Sequence, residues 1–578
     1  MLFTALTTPR VEEKNGYVFA MSRVLAILLD GYEITVAEKM MAAGQLPALA
    51  QIWKKSARFA LDHGAAKRTG LGMEHLCSGM SPQIAKRWSS INFDQRSYQV
   101  FQEGPRFPPF PSKMASKSVV FDIPYFDLMQ APNVRGISAW GSHDAGTELS
   151  ANPAELLNEL LEKHGPYPAT NSMHAIAWPS PERCRIVGAE LVCGVEQRSK
   201  AALWLLKERF PDWDLALIGV SESHSALEAL WHGYDSKHPL HHLPSASVAS
   251  DGIFNVYKAI DRLVGCLVSE FQDAAIVIFT MHGMGPNQSD VASMALLPEL
   301  LHRHEFSEPF FRAPNNWVNA AGGIPILGES EHWSVGAPEI KTIAKSVRSF
   351  IAPWIPSSMK THLKRAPRIQ NSDESERKRS LQWMPSTRYQ SFWPKMRAFA
   401  LPSYFDGRIR INLIGRERNG LVPLSEYQAI CKELGNVLSN CRDPVSGERA
   451  VDCIEFPQGS DPLARDPSEA DMNIVWKGAA LAFEHPIHGK IGPVPYFRTG
   501  GHTGLFGMAY IAADNVAPGD RGKRSSFDVV PTLFDLLGER LPQNISGRSL
   551  LASEPEYEDT VPRDFLVQRD RKFFPNFT

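Results

Sequence analysis

The chain is poor in the features that mark out special classes of protein. Its 578 residues include only seven cysteines, Cys77, Cys184, Cys193, Cys266, Cys431, Cys441 and Cys453, with no Cys-x-x-Cys pair among them. An odd, scattered set excludes a disulfide framework and a cysteine-rich zinc module, and it points to a reducing compartment. No apolar run approaches the roughly 18 residues that span a bilayer. The opening MLFTALTTPRVEEKNGYVFA has no basic stretch followed by an unbroken apolar one. We therefore expect a cytoplasmic protein without a membrane partner. An excess of one charge is missing too: Lys+Arg 61 against Asp+Glu 63 leave a net charge of −2. That balance gives no electrostatic reason to expect nucleic acid, so an anionic substrate must be gripped locally. Repeats and low-complexity tracts are absent. With 43% hydrophobic and 21% charged residues, the composition is that of a globular protein.

What is present is alternation. Short apolar runs bounded by turn signals are interleaved with amphipathic stretches, the pattern of an α/β fold in which helices sandwich a mostly parallel sheet. Val24–Leu29 ends in Asp30-Gly31, Ser118–Phe121 in Asp122, Leu215–Val220 in Ser221-Glu222, and Ala275–Thr280 in Met281-His282-Gly283. Between the last two runs, Ile253, Val256, Tyr257, Ile260, Leu263, Val264 and Leu267 recur at helical spacing. Residues 1–20 read as an extension, 21–300 and 471–555 as the core, 301–470 as an inserted smaller α+β lid, and 556–578 as a tail. Within the insertion, 365–379 is highly charged and reads as an exposed loop. Arg408–Leu413 reads as a strand and Ser425–Leu438 as a helix. Asn473–Trp476 reads as a return to the main sheet, and Phe527–Gly538 as a late helix stopped by glycine.

In open α/β sheets the carboxyl ends of the strands line the ligand crevice, so polar residues there are the first site candidates. Asp30 is either a hard oxygen ligand for a divalent cation or a cap of its βα loop. Thr69, in Lys67-Arg68-Thr69-Gly70, is a nucleophile only where a metal or base activates it; otherwise it caps a helix. His224 and Glu228 stand four apart, so on a helix they share one face, able to grip a metal or simply to meet solvent. Glu222 and His232 lie in the same window. His282 ends the fourth run, and His502 sits in the glycine-rich Thr499-Gly500-Gly501-His502-Thr503-Gly504. Arg68, Arg416 and Arg498 are candidate anion grips, because a guanidinium fork matches phosphate or carboxylate. Trp140-Gly141-Ser142-His143-Asp144 is a candidate pocket lining.

The order of these pieces resembles the alkaline phosphatase superfamily. It is closest to the type I phosphodiesterase/nucleotide pyrophosphatase branch, and within it to the predicted phosphohydrolases or phosphomutases. The resemblance runs from about Val24 to Leu551 and includes the closing segments Phe527–Gly538 and Gly547-Arg548-Ser549-Leu550. It implies two divalent ions, Zn²⁺ or Mn²⁺, with Asp30, Thr69 and His282 at one and His224, Glu228 and His502 at the other. It also implies Thr69 as the nucleophile and a small phosphate ester or diester as substrate; the Gly70 amide is a candidate oxyanion donor beside the three arginines. Two positions depart from the family's pattern. Met281 stands where a carboxylate ligand is usual, which makes Asp144, Glu222 or water candidates to complete that site. His224 and Glu228 exchange the usual carboxylate and imidazole. A sulfatase is disfavoured because Thr69 is not in a Cys/Ser-x-Pro-x-Arg run. A phosphomutase and a catalytically silent binding protein remain as alternatives.

Overall fold

The protein is described as a computed structural model covering residues 11–14, 17–20, 23–143, 147–174, 179–320, 323–328, 331–337, 378–379, 381, 383–457 and 461–552. Its described residues fall into two compact units, one from Met1–Lys86, Pro105–Asn287 and Arg498–Thr578, the other from Arg87–Gly104 and Gln288–Phe497. The boundaries expected at 301 and 470 both fall inside the second unit. Of the charged stretch 365–379, only Lys378–Arg379 is among the described residues, and its backbone pairs with Gln102–Glu103. The tail 556–578 lies outside them.

The first unit is built on a nine-stranded sheet. Its strands are β1 (Val24–Leu29), β2 (Ala57–Asp62), β3 (Ser118–Phe121), β4 (Arg135–Ser138), β5 (Ser150–Asn152), β6 (Leu215–Val220), β7 (Ala275–Thr280), β8 (Gly507–Ala512) and β9 (Gly519–Ser525). They lie in the order β9-β2-β8-β7-β1-β6-β3-β4-β5. Pairing is parallel from β7 through β1, β6 and β3 to β4, and again between β9 and β2. It is antiparallel where β8 sits between β7 and β2, and at β5.

Helices α1 (Ile34–Ala42), α2 (Pro47–Lys55), α3 (Gly72–Ser78), α4 (Pro181–Leu203), α5 (Glu222–Tyr234), α6 (Ser245–Glu270) and α7 (Val529–Leu536) cover both faces. The strand period of two divides β1 between two cores. Leu25, Ile27 and Leu29 pack with side chains of α1, α2, α4, α5 and α6, whereas Val24, Ala26 and Leu28 pack with those of α3 and α7. Every residue of β1 is therefore fully buried, which is why its sequence is continuously apolar and not alternating.

The second unit carries a four-stranded antiparallel sheet in the order Ala398–Leu401, Gly407–Ile411, Met472–Trp476, Val451–Glu455, with a helix at Tyr427–Ser439. This corrects the expectation for Asn473–Trp476, which does not rejoin the main sheet. Met472, Ile474 and Trp476 are buried while Asn473 and Val475 are only partly so, the alternation of a strand with one covered face. Among the described residues no helix is long and apolar enough to cross a membrane, and all seven cysteines are free.

Candidate metal centre

Strand register brings the candidate residues together. Val24 lies opposite Leu215 of β6 and Ala275 of β7, and both pairings continue residue for residue. The three central strands thus end along one edge, and Asp30, Ser221 and the Met281-His282 pair leave the sheet there. Helix α5 starts immediately after β6, so His224 and Glu228 face the end of β1. Gly31 makes the approach possible. It has φ +59°, and a Cβ at this position would stand 2.7 Å from the Cβ of His224. Ser223 Oγ ties the helix down by donating to the carbonyl of Asp30 at 2.7 Å.

His502 arrives from the other end of the chain. Gly500–Gly501 pairs antiparallel with Gly285–Pro286 just beyond β7. The Thr499 amide donates to the Glu228 carbonyl at 2.8 Å, and a Cβ at Gly500 would lie 2.1 Å from the Leu227 carbonyl oxygen. Two glycines in succession let this loop lie directly on α5. Thr69 ends a short 3-10 turn, Gly64–Thr69. Its hydroxyl donates to the Ala66 carbonyl at 2.8 Å and accepts the Leu71 amide at 3.2 Å. Gly72, three residues on, lies against His282, with a Cβ built there 3.7 Å from the ring Nε2.

The resulting cluster is tight. His224 Nδ1 lies 3.0 Å from Asp30 Oδ2, and its Nε2 lies 3.0 Å from His502 Nε2 and 3.5 Å from Glu228 Oε1. His502 Nδ1 stands 3.3 Å from His282 Nδ1. His143 joins from the loop after β4. Its ring stacks on His224 with centroids 3.8 Å apart, and its Nε2 lies 3.3 Å from Glu228 Oε2. Burial opposes every charge here. It lowers the imidazoles of His143 and His502, and it brings His282 down to about 4. Burial also works against a charge on His224, but the carboxylates of Asp30 and Glu228 outweigh it and hold this imidazole at about 10. The same interactions keep both carboxylates ionised against burial, with Arg498 the strongest influence on Glu228.

A metal fits this donor set. Ligand nitrogens about 2.0–2.1 Å from a tetrahedral ion stand about 3.3 Å from one another. The imidazole nitrogens of His143 and His224 stand 3.3 and 3.5 Å from the Glu228 oxygens, and suitable atoms of His143, His224 and Glu228 all lie within 4.8 Å of one another. The Asp30 and His282 side fits less well. Asp30 already holds His224, and Met281 is buried in the apolar cluster that contains Leu28 and Phe279.

Several expected site residues are elsewhere or otherwise engaged. Glu222 is turned away from the cluster: its carboxylate accepts from Arg198 Nε at 3.0 and 3.2 Å and from the Tyr167 hydroxyl at 3.0 Å. Arg416 belongs to the second unit and is fully occupied by Glu417 and Asp471 at 2.9 and 2.7 Å, so it is an internal ion-pair partner and no substrate grip. The Gly70 amide donates to the Lys67 carbonyl at 3.3 Å, which removes it as an open oxyanion donor. His232 bonds Ser245 Oγ at 3.2 Å inside the α5–α6 contact. Arg498 is in the cluster, but on Glu228. Arg68 precedes Thr69 in the chain and is half-buried. Asp144 lies outside the described residues.

His143 was only a pocket-lining candidate in the sequence. The signal for more was its position five residues beyond β4, a strand end like the others.

No family model matches the chain, and no curated protein matches it. Similar solved structures include phosphonoacetate hydrolase from Sinorhizobium meliloti 1021 in complex with phosphonoformate, at 13% identity over 92% of this chain and 99% of that one, with a TM-score of 0.44. They also include murine and human ectonucleotide pyrophosphatase/phosphodiesterase 5, each at 10% identity over 91% of this chain and 97% of the other, with TM-scores of 0.41.

Proposed function

We propose that this chain is a metal-dependent phosphoric ester hydrolase of the phosphodiesterase/pyrophosphatase type, acting on a small phosphate ester or diester through a covalent phosphothreonine. The observation that carries the reading is the convergence of Asp30, His224, Glu228, His282 and His502 at one sheet edge, with the Thr69 segment packed against His282. Asp30, His282 and Thr69 would hold one divalent ion and His224, Glu228 and His502 another, Zn²⁺ or Mn²⁺ by the mixture of imidazole and carboxylate. Bound ions of this kind lower the pKa of a hydroxyl and polarise a phosphoryl oxygen.

The remaining work falls to the chain. The Thr69 hydroxyl turns from the Ala66 carbonyl to attack phosphorus in line; the Thr69 Oγ–P bond forms as the ester P–O bond breaks, and the hydroxyl proton leaves with the departing alkoxide as the alcohol. Water then attacks the same phosphorus, the P–Oγ bond breaks, and a water proton restores the Thr69 hydroxyl. Asp30 fixes the His224 ring by accepting from Nδ1, which aims Nε2 into the cluster. Arg68 supplies a cation beside the nucleophile for the substrate anion. The free thiols fit a reducing, cytoplasmic setting.

A second reading, a silent binding protein, is favoured by two features: Arg498 places a guanidinium on Glu228, and Met281 removes a carboxylate. Elemental analysis of protein purified without chelator, paired with hydrolysis of bis-p-nitrophenyl phosphate and p-nitrophenyl phosphate, separates the two. Two metals per chain with ester turnover support the hydrolase; no metal and no turnover support the silent scaffold. Thr69→Ala should reduce turnover to background while leaving metal content nearly unchanged, and full activity in that variant would remove Thr69 as nucleophile.

A further inference from the structure

We infer that His143 is a metal ligand, closing with His224 and Glu228 a buried three-donor cage, with His502 against His224, for a single tightly held divalent cation. This rests on the reading of the sheet-edge cluster as a metal centre. It goes beyond the family resemblance, which assigns no metal to His143.

The argument begins with one proton. The Ser225 hydroxyl donates to the Met173 carbonyl at 2.8 Å. Having a single hydrogen, it meets His143 Nδ1, 3.0 Å away, only as an acceptor. Nδ1 therefore carries an N–H directed at Ser225, which leaves Nε2 as the atom turned to Glu228 Oε2, 3.3 Å away. His224 Nε2 lies 3.5 Å from the same carboxylate, and suitable atoms of the three buried side chains all lie within 4.8 Å of one another, the spacing of donors about one ion. A hydrogen bond that fixes the tautomer of an imidazole from behind is the usual support of a metal ligand. His224 has the same arrangement, with Nδ1 on Asp30 and Nε2 facing the cluster.

The loop that presents His143 is held rigidly. Asp122, at the end of β3, accepts the Trp140 and Gly141 amides at 2.8 and 2.7 Å. Arg198 of α4 donates to Asp122 at 2.6 Å and to the Gly141 carbonyl at 2.7 Å, and it also binds Glu222, the first residue of α5. All three charged residues are fully buried. One guanidinium thus fixes the His143 loop to the start of the helix that carries His224 and Glu228. Arg198 is a positioning residue for the cage.

The test is calorimetric titration of Zn²⁺ into the metal-stripped full-length chain, with zinc X-ray absorption to count imidazoles. Wild type should bind one Zn²⁺ tightly at this cage, with at least two imidazoles. His143→Ala should weaken that ion at least about tenfold and lower its imidazole count by one. His143→Gln, which keeps most of the volume, replaces the alanine variant if circular dichroism shows it unfolded. Unchanged affinity and an unchanged imidazole count would overturn the assignment. Ester hydrolysis, measured separately, keeps the two readings apart. Zn²⁺ binding that depends on His143 without ester turnover upholds the cage and removes the hydrolase. Turnover with Zn²⁺ binding indifferent to His143 does the reverse, and a wild type that binds no Zn²⁺ overturns the cage.

Discussion

Two clusters of buried charge in this chain are built on opposite plans. Around Arg416, donors and acceptors match: Nε meets Glu417, Nη1 meets Asp471 and the Pro462 carbonyl, and Nη2 meets Asp471, all between 2.7 and 3.1 Å. Around Glu228 the contacts are mostly imidazole nitrogens, His143 Nε2 at 3.3 Å and His224 Nε2 at 3.5 Å beside Arg498, with His502 Nε2 against His224. A cluster of guanidinium and carboxylates serves the fold. One in which imidazoles, held by hydrogen bonds behind them, converge on a carboxylate offers donors to a metal.

The contrast can be broken at its strongest point first. Arg416→Ala would take from Glu417 and Asp471 the buried guanidinium they share, leaving Arg410 on one and Arg465 on the other, at a cost of about 3 kcal/mol in denaturant unfolding, with metal content unchanged. A loss of metal in that variant would erase the distinction. Arg198→Ala should cost about the same, yet it should also weaken Zn²⁺ binding, because the loop of His143 loses its tie to α5. Equal Zn²⁺ affinity would place Arg198 with Arg416 as a purely structural charge.

The smallest effect concerns a third way of treating a buried acid, which is to protonate it. Burial, with the carboxyl of Glu33 nearby, lifts Glu38 from 4.5 to about 7. Between those values the folded chain holds a proton that the unfolded chain has lost, so stability falls as pH rises from about 4.5 to 7. Glu38→Gln should remove that slope and stabilise the protein by of the order of 1 kcal/mol at pH 8. Parallel stability curves for wild type and variant would count against it.

Much of the candidate site is legible in the sequence because it follows strands. Asp30, His282 and the His224/Glu228 pair each come directly after an apolar run, and parallel register converts that local position into proximity. His143 is harder to see because four loop residues separate it from its strand. Arg416 is misread because the partner that neutralises it, Asp471, is 55 residues away. Glu222 is misread for a similar reason: Arg198 comes from a different helix. The central parallel strands are legible, whereas β9, Gly519–Ser525, is polar along most of its length and is a strand only because β2 lies beside it. Asn473–Trp476 shows the same limit, since a strand's composition does not say which sheet it joins.

The shared register of β1, β6 and β7 also decides where this chain tolerates a change of length. Deleting one residue within Val24–Leu29 would draw Asp30 back by about 3.3 Å and turn its side chain to the opposite face of the sheet, so the cluster would lose the acceptor behind His224. A residue inserted into an exposed loop well beyond a strand end is absorbed locally. The three strands act as a common ruler for the site, and variation in their length is the kind of change the centre is least able to survive.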